Sequence, residues 1–531
     1  MVRAARRVLQ VAAPLIVLAV VAGPLFDLDR YQVPKELIMH GAAFLAAALV
    51  LRGARRLPLA LVDLLLIAYL VLSALAALSA LNGWLAFRAI GVSASSLALF
   101  WTARAIGRAG LGGPLLGMLG FAGILGAATG LLQAYGAELP LESVRRAPGG
   151  MFGNRNFMAH VTALSLPLVA YLSIVSRARA APLLGAAAVA LSAAALLLSR
   201  SRAAWLAVAA GLTLFLIEGI GMSGLWRDAQ IRKRLSLITA AGFLGIALAL
   251  GIPNSLEWRS KHPYLESLAG VANFREGSGR GRVVQFGNSL RMAADYPLLG
   301  VGPGNWPVLY PRYTTPGDPA FDRGDPVPTN PWPSSDWVAT AAERGIPAAV
   351  CLSAAMIASA VVGWRRSRQK GRSTEGLAGL AMVATIVVTV VVGAFDAVLL
   401  QAVPAFFFWT TLGVLAPAPR EAVELPMPAG RRVLLVAVLI AGFAFTLRSS
   451  LQTLSIVVAG DGKSRRAVRW AVRLDPASYR LHVLLAGGYG RQRAPCGDVL
   501  THAGAARELF PHHPTPPHLL LRCRNAQRGS G

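Results

Sequence analysis

Apolar stretches about as long as a bilayer is thick recur from one end of this chain to the other. Nothing else in the sequence constrains the fold as strongly. They fall near residues 8–26, 36–51, 57–80, 86–103, 111–133, 156–175, 181–198, 203–221, 235–252, 336–363, 375–394, 398–416 and 433–450. An α-helix of about twenty apolar residues crosses a hydrocarbon core of about 30 Å. About thirteen such runs predict an all-α polytopic membrane protein, because helices satisfy their own backbone polar groups in lipid. The composition agrees. The chain is 55% hydrophobic and 15% charged, against about 25% charged in soluble domains. The first run follows Arg3, Arg6 and Arg7. No small-residue cleavage site leads from it into a soluble domain, so it reads as a retained first helix rather than a signal peptide.

The formal charge of +27 would suggest nucleic acid in a soluble protein. Here it is explained by topology, and no nucleic-acid motif accompanies it. With the N-terminus cytoplasmic, the loops "RGARR", "RAIGRAG", "SRARA", "WRDAQIRKR", "WRRSRQKGR" and "PREAVELPMPAGRR" are all cytoplasmic, and all are basic. This is the positive-inside pattern. Two soluble parts then fall outside: a large loop over about 253–335, and the tail after about 452. The expected plan is a membrane domain over 1–452 and a periplasmic tail over 453–531, in a bacterial inner membrane.

Some arginines break that pattern. Arg200 and Arg202, in "LLLSRSRAAWLAV", lie in an outer turn between the seventh and eighth helices. Arg145, Arg146 and Arg155 lie in the preceding outer loop. Single outer arginines snorkel to headgroups. A cluster beside a large outer loop points to a phosphorylated lipid, because the planar guanidinium gives phosphate two charge-assisted bonds.

In the loop, 282–295 has a helical pattern with Val283, Phe286, Leu290 and Ala293 on one face. "GVGPGNW" after it is a turn-rich stretch whose glycines permit close backbone approach. Nucleotide-binding and Cys/His metal motifs are missing from the sequence, so no cofactor is expected.

Four blocks resemble one family. "GGMFGNRNFMA" at 149–159, "SRAAWLA" at 201–207, "GRVVQFGNSLRMAADYPLLGVGPGNW" at 281–306 and "SSDWVATAAERGIP" at 334–347 are similar to the O-antigen ligase and O-antigen polymerase superfamily. Their order, the outer loop and the helix number agree, and the likeness covers roughly 60–416. The resemblance implies glycosyl transfer outside the membrane by a wholly helical fold without a metal or nucleotide sugar. The donor would be a glycan on undecaprenyl pyrophosphate. The acceptor would be lipid A–core, another lipid-linked repeat unit, or a protein hydroxyl. Cations at the leaving pyrophosphate stabilise charge that grows as the bond breaks. By the family pattern Arg202 and Arg282 are the first candidates. Arg155 follows, because many members carry proline there. Arg200 and Arg280 are neighbours that would share the role.

The family's third block usually reads His-Asn-Asp, with the histidine taking the acceptor's proton. Here the triplet is Ser334, Ser335, Asp336, while Glu343 and Gly345 still match. Three readings stay open: Asp336 is the base, His262 of the outer loop reaches in, or the protein binds lipid-linked glycan without catalysis. Asp336 also reads as part of a helix N-cap, and Glu343 as a structural support. His160, at the outer end of the sixth helix, is a packing residue or a supporting one, and His40 a packing residue. A transporter of lipid or polysaccharide is a further alternative, but no internal repeat supports it.

The tail, with "AVRWAVRLDPASYRLHVLLAGGYGRQ", resembles one or two degenerate tetratricopeptide units. It would dock on the outer loop or on a protein partner. A periplasmic location makes a Cys496–Cys523 disulfide plausible. The tail's histidines at 482, 502, 512, 513 and 518 lack metal-ligand spacing.

Overall fold

The computed structural model describes all residues except 24, 27, 55, 138–147, 222–227, 259, 319–330, 369–372, 417–422, 427–429, 488–493 and 529–531. Arg145 and Arg146 lie outside the described residues. Among the described residues nine α-helices precede the long loop: α1 (Val2–Leu18), α2 (Asp29–Gly53), α3 (Leu61–Ala76), α4 (Gly83–Arg108), α5 (Gly112–Ala134), α6 (Arg155–Val175), α7 (Ala181–Ser199), α8 (Arg202–Gly221) and α9 (Ala229–Gly251). The loop holds α10 (Pro263–Ala269), α11 (Gly277–Asp295) and the single turn α12 (Trp306–Leu309). The bundle closes with α13 (Asp336–Ser367), α14 (Ser373–Phe395), α15 (Ala402–Leu415) and α16 (Gly430–Ala459). The tail holds α17 (Arg465–Leu474), α18 (Tyr479–Gly487), α19 (Cys496–Leu509) and α20 (Thr515–Arg528). One short ribbon, β1 (Arg56–Leu59) paired antiparallel with β2 (Val423–Pro426), ties two loops together.

Among the described residues ten helices are long and apolar enough to cross a membrane. The protein is an all-α, multi-pass membrane protein. The three other expected runs are α1, with 17 residues, α8, with 20, and α15, with 14. The run expected over 398–416 is the one the structure corrects most. Its helix starts only at Ala402, because the backbone N–H groups of Val398 and Leu399 bond to Asp336 instead of entering a helix. Such irregular backbone survives at membrane depth only when buried in protein, and Val398 and Leu399 are buried. The last run also extends past its expected end, since α16 continues to Ala459.

Leu64, Val71, Leu183, Phe243, Ile440 and Phe443 are exposed on the outside of the bundle, as lipid-facing residues are. Inside, small residues let helices approach. A side chain at Gly245 would meet the Ala190 carbonyl oxygen at 2.1 Å, so only glycine permits that contact between α9 and α7.

Of the four apolar residues aligned on α11, only Ala293 is fully buried. Val283 and Leu290 are exposed, while Gln285, Asn288, Ser289 and Met292 are buried. The polar residues are buried because each has a partner. Gln285 accepts from the Ser334 N–H at 2.7 Å, Asn288 donates to Asp318 at 2.9 Å, and Ser289 accepts from the Trp306 indole at 2.8 Å. The first of these bonds joins two of the sequence blocks, 281–306 and 334–347. Gln285 Nε2 is buried without a hydrogen-bond partner, while the paired groups help to specify one arrangement of the core.

α13 is two helices divided at Gly345, whose φ is 82°. The break exposes carbonyls that the "GVGPG" backbone then satisfies. Val301 and Gly302 donate to Ala342 and Glu343 at 2.9 Å, and Ile346 donates to Pro297 at 2.8 Å. The Glu343 carboxylate accepts from Gly304 at 2.8 Å and Trp306 at 3.3 Å, so it supports backbone. A Cβ at Gly345 would lie 2.1 Å from the Leu298 carbonyl oxygen. Gly345→Ala is therefore expected to cost at least about 1–3 kcal/mol in backbone strain, before the clash is counted. Thermal unfolding of the detergent-purified protein should show a clearly lowered midpoint.

The tail packs on the same end of the bundle. Phe26 and Val33 cluster with Ile456, Val468, Ala471, Leu481 and Leu485. Asn82 donates to the Leu509 carbonyl at 3.2 Å, and Arg448 pairs with Asp475 at 2.8 Å. Cys496 and Cys523 form a disulfide.

Candidate functional site

Four arginines converge at this end of the bundle. Arg155 opens α6, Arg200 and Arg202 flank the turn from α7 to α8, and Arg282 lies on the first turns of α11. Each segment is held locally. Asn154 caps α6 by accepting from the Asn156 N–H at 2.8 Å, and the preceding Gly149 and Gly150 donate to Gln133 of α5. Arg200 has φ 53°, the only positive-φ non-glycine residue among those described. A bulky residue there is uncommon and worth a functional question. Its Nε donates to Ser267 at 2.7 Å, and its guanidinium lies 5.2 Å from the centre of the Trp258 ring.

Arg202 donates to the Gly270 carbonyl and to Ser278. Arg282 donates through Nε to the Phe395 carbonyl at 3.0 Å. Neutral oxygens thus orient both groups without cancelling their charge. The two line one cleft with Gly270, Gly279, Phe274 and Phe395. A Cβ on Gly279 would meet the Asn273 carbonyl oxygen at 2.0 Å, so glycine is needed where α11 enters the cleft. Arg155 lies within the repulsive field of Arg200, Arg202 and Arg282, and Arg202 within that of Arg282 and Arg200. Among the described residues, Arg200 alone of the four has a carboxylate at ion-pair distance, the exposed Glu266 at 3.5 Å. Converging cations with so little counter-charge suit an anion. Arg280 does not join them: it is exposed on the surface of α11.

Asp336 opens α13 behind its cap, Ser335, and is 1% exposed. Both its oxygens lie 3.0–3.1 Å from the N–H groups of Val398 and Leu399. That anchors the turn between α14 and α15. His262 stands at the N-cap position of α10 without a side-chain cap bond and is exposed. His40 contacts Ser95 at 2.7 Å in the core.

The anchored turn carries a residue that the sequence reading passed over. Asp396 follows the last residue of α14 and is 14% exposed in its side chain. It accepts from the Ala397 N–H at 2.9 Å and from the Asn156 side chain, and it lies in the field of Arg282. His160 Nε2 is 3.9 Å from its carboxylate, and both ring nitrogens of His160 are buried without a hydrogen-bond partner. Burial pushes Asp396 up to about 6, with the Ala397 N–H and then Arg282 pulling the other way. The sequence carries the signal: "GAFDAVLLQ" places one acid between two apolar runs at the outer end, the end that holds the outer arginines. Among the described residues no group of three or more metal-ligating side chains occurs.

Fold and site together define a multi-pass membrane protein with a cluster of arginines and a buried acid at one end of its bundle. Residues 187–353 match the O-antigen ligase family model, so this part of the chain is similar to an O-antigen ligase domain. The matched segment contains Arg200, Arg202, Arg282, Asp336 and Glu343. Arg155, His160 and Asp396 lie outside it. No curated protein matches the chain.

Proposed function

We propose that the protein transfers a glycan from undecaprenyl pyrophosphate to an acceptor hydroxyl at the periplasmic face of a bacterial inner membrane. The observation that carries this reading is the convergence of Arg155, Arg200, Arg202 and Arg282 beside Asp396. The donor's pyrophosphate binds over Arg202 and Arg282, with Arg155 and Arg200 flanking it. As the bond from the anomeric carbon to the phosphate oxygen breaks, charge grows on the leaving group where the guanidiniums already stand. The acceptor oxygen bonds to the anomeric carbon and its proton passes to Asp396. The products are the extended acceptor and undecaprenyl pyrophosphate. Asp336 acts on this step by holding the turn that carries Asp396. The Cys496–Cys523 disulfide supports an oxidising compartment for the tail, and the basic loops support the orientation. A tetratricopeptide-like role for the tail, with a protein partner, belongs to this proposal too.

Deleting the gene and profiling undecaprenyl-linked glycans by mass spectrometry tests the reading. Long lipid-linked chains accumulate if the acceptor is terminal, and single repeat units accumulate if the protein polymerises. An Arg202→Ala copy at normal abundance is expected to leave the deletion pattern uncorrected. An unchanged lipid-linked pool in the deletion strain would sink the proposal in favour of binding or transport.

A further inference from the structure

Where the tail meets the bundle there is a cavity of about 210 Å³ that the transfer step does not use. Trp84, Trp332 and Tyr479 supply aromatic surface to its walls, and four carboxylates and four guanidiniums line it as well. Most of those charges are matched. Arg88 holds Glu36 through two bonds, of 2.8 and 2.9 Å, and reaches Asp29 at 3.2 Å. Arg448, whose guanidinium lies 5.2 Å from the centre of the Trp84 ring, gives one nitrogen to Asp475.

The other nitrogens of Arg448, Nε and Nη1, are buried without a hydrogen-bond partner, and so is Nε of Arg344. Both arginines line the cavity. Buried charged donors left unpaired are costly. All three belong to two arginines of the cavity wall, and a wall of this polarity suits an occupant that accepts hydrogen bonds. An apolar occupant would strand the charges, and an anion would face four carboxylates. A sugar offers hydroxyls that both donate and accept, and C–H faces that lie on aromatic rings, which suits a pocket of aromatic walls with convergent polar groups.

The cavity adjoins the transfer site. Trp332, in its wall, packs 6.1 Å from Phe157 between ring centres. Phe157 follows Asn156, which bonds Asp396. Leu399, whose N–H Asp336 holds, lines the cavity too.

We infer that this cavity is a saccharide-binding subsite, built jointly by the bundle and the tail, that seats a sugar of a substrate chain beside the transfer site. The inference rests on the glycan-transfer reading for its choice of ligand class.

The test uses the full chain in nanodiscs and two probes. One is oligosaccharide freed by mild acid from the host's undecaprenyl-linked pool. The other is oligosaccharide freed from its surface glycolipid. Saturation-transfer NMR and titration are expected to detect binding of one of them to the wild type. Binding of the first assigns the subsite to the donor chain, and binding of the second assigns it to the acceptor. In Arg448→Gln, and in Trp84→Ala at a half-exposed position, the dissociation constant is expected to rise about tenfold or more. Undecaprenyl pyrophosphate should bind these two variants as it binds the wild type. Failure of both oligosaccharides to bind the wild type, or equal binding by Trp84→Ala, overturns the inference. Failure of undecaprenyl pyrophosphate to bind the wild type is a separate result, and it strikes the donor reading alone.

Discussion

Asp396→Asn is expected to lower the rate of glycan transfer by about 100- to 10,000-fold, the range that positioned general bases contribute. Asparagine keeps the shape and can still accept from the Ala397 N–H, so the protein should fold and bind donor normally. What it loses is the capacity to take a proton. The pH profile gives a second readout. With the carboxyl pushed up to about 6 by burial, the base is ionised at neutral pH. It is progressively protonated below about 6, so the wild-type rate should fall on that limb by about tenfold per pH unit. The limb should vanish in Asp396→Asn. The contrasting substitution is Asp336→Ala. It leaves the buried N–H groups of Val398 and Leu399 without acceptors, at about 1–3 kcal/mol each, and its main expected effect is on stability. A wild-type pH profile flat from 5 to 8, with Asp396→Asn fully active, would remove Asp396 from the chemistry.

Arg282→Ala is expected to cost about 100- to 1,000-fold in transfer, as loss of one preorganised charge at a developing anion does. It should also weaken binding of undecaprenyl pyrophosphate measured on the purified protein. Arg282 has a second role that a purely structural arginine would lack. Its charge favours the ionised form of Asp396. Removing it takes away that stabilisation, so the carboxyl is expected to titrate at higher pH and the acid limb to move upward. Arg282→Lys keeps the charge without the planar fork. It should restore the position of the limb better than it restores donor binding. Unchanged donor binding and an unmoved limb in Arg282→Ala would together count against the clamp.

Residues are legible in this sequence to different degrees, for physical reasons that can be named. The apolar runs identify the helices because lipid demands about twenty residues per crossing and does not depend on which neighbours surround them. Glu343 and Gly345 were visible as a motif, while their purpose was not. That purpose is to carry the backbone of residues 297–306 across a helix break, a contact between segments about forty residues apart. The face of α11 was misjudged because periodicity assumes that apolar residues turn inward. Here Gln285, Asn288 and Ser289 each find a buried partner on another segment, and exposed Val283 and Leu290 carry no such demand.

The sequence by itself determined the class of fold and the end of the bundle where charge accumulates. Hydropathy and the positive-inside bias act locally, one run and one loop at a time. Only the tertiary structure decided which charges act together. Arg155, Arg202 and Arg282 belong to three helices and Asp396 to the turn after a fourth, and together they span about 240 positions. Nothing short of packing brings them within one another's fields. The same holds for Asp336. Its carboxylate is spent on the backbone of Val398 and Leu399, and that bond fixes the turn on which Asp396 stands beside the arginines.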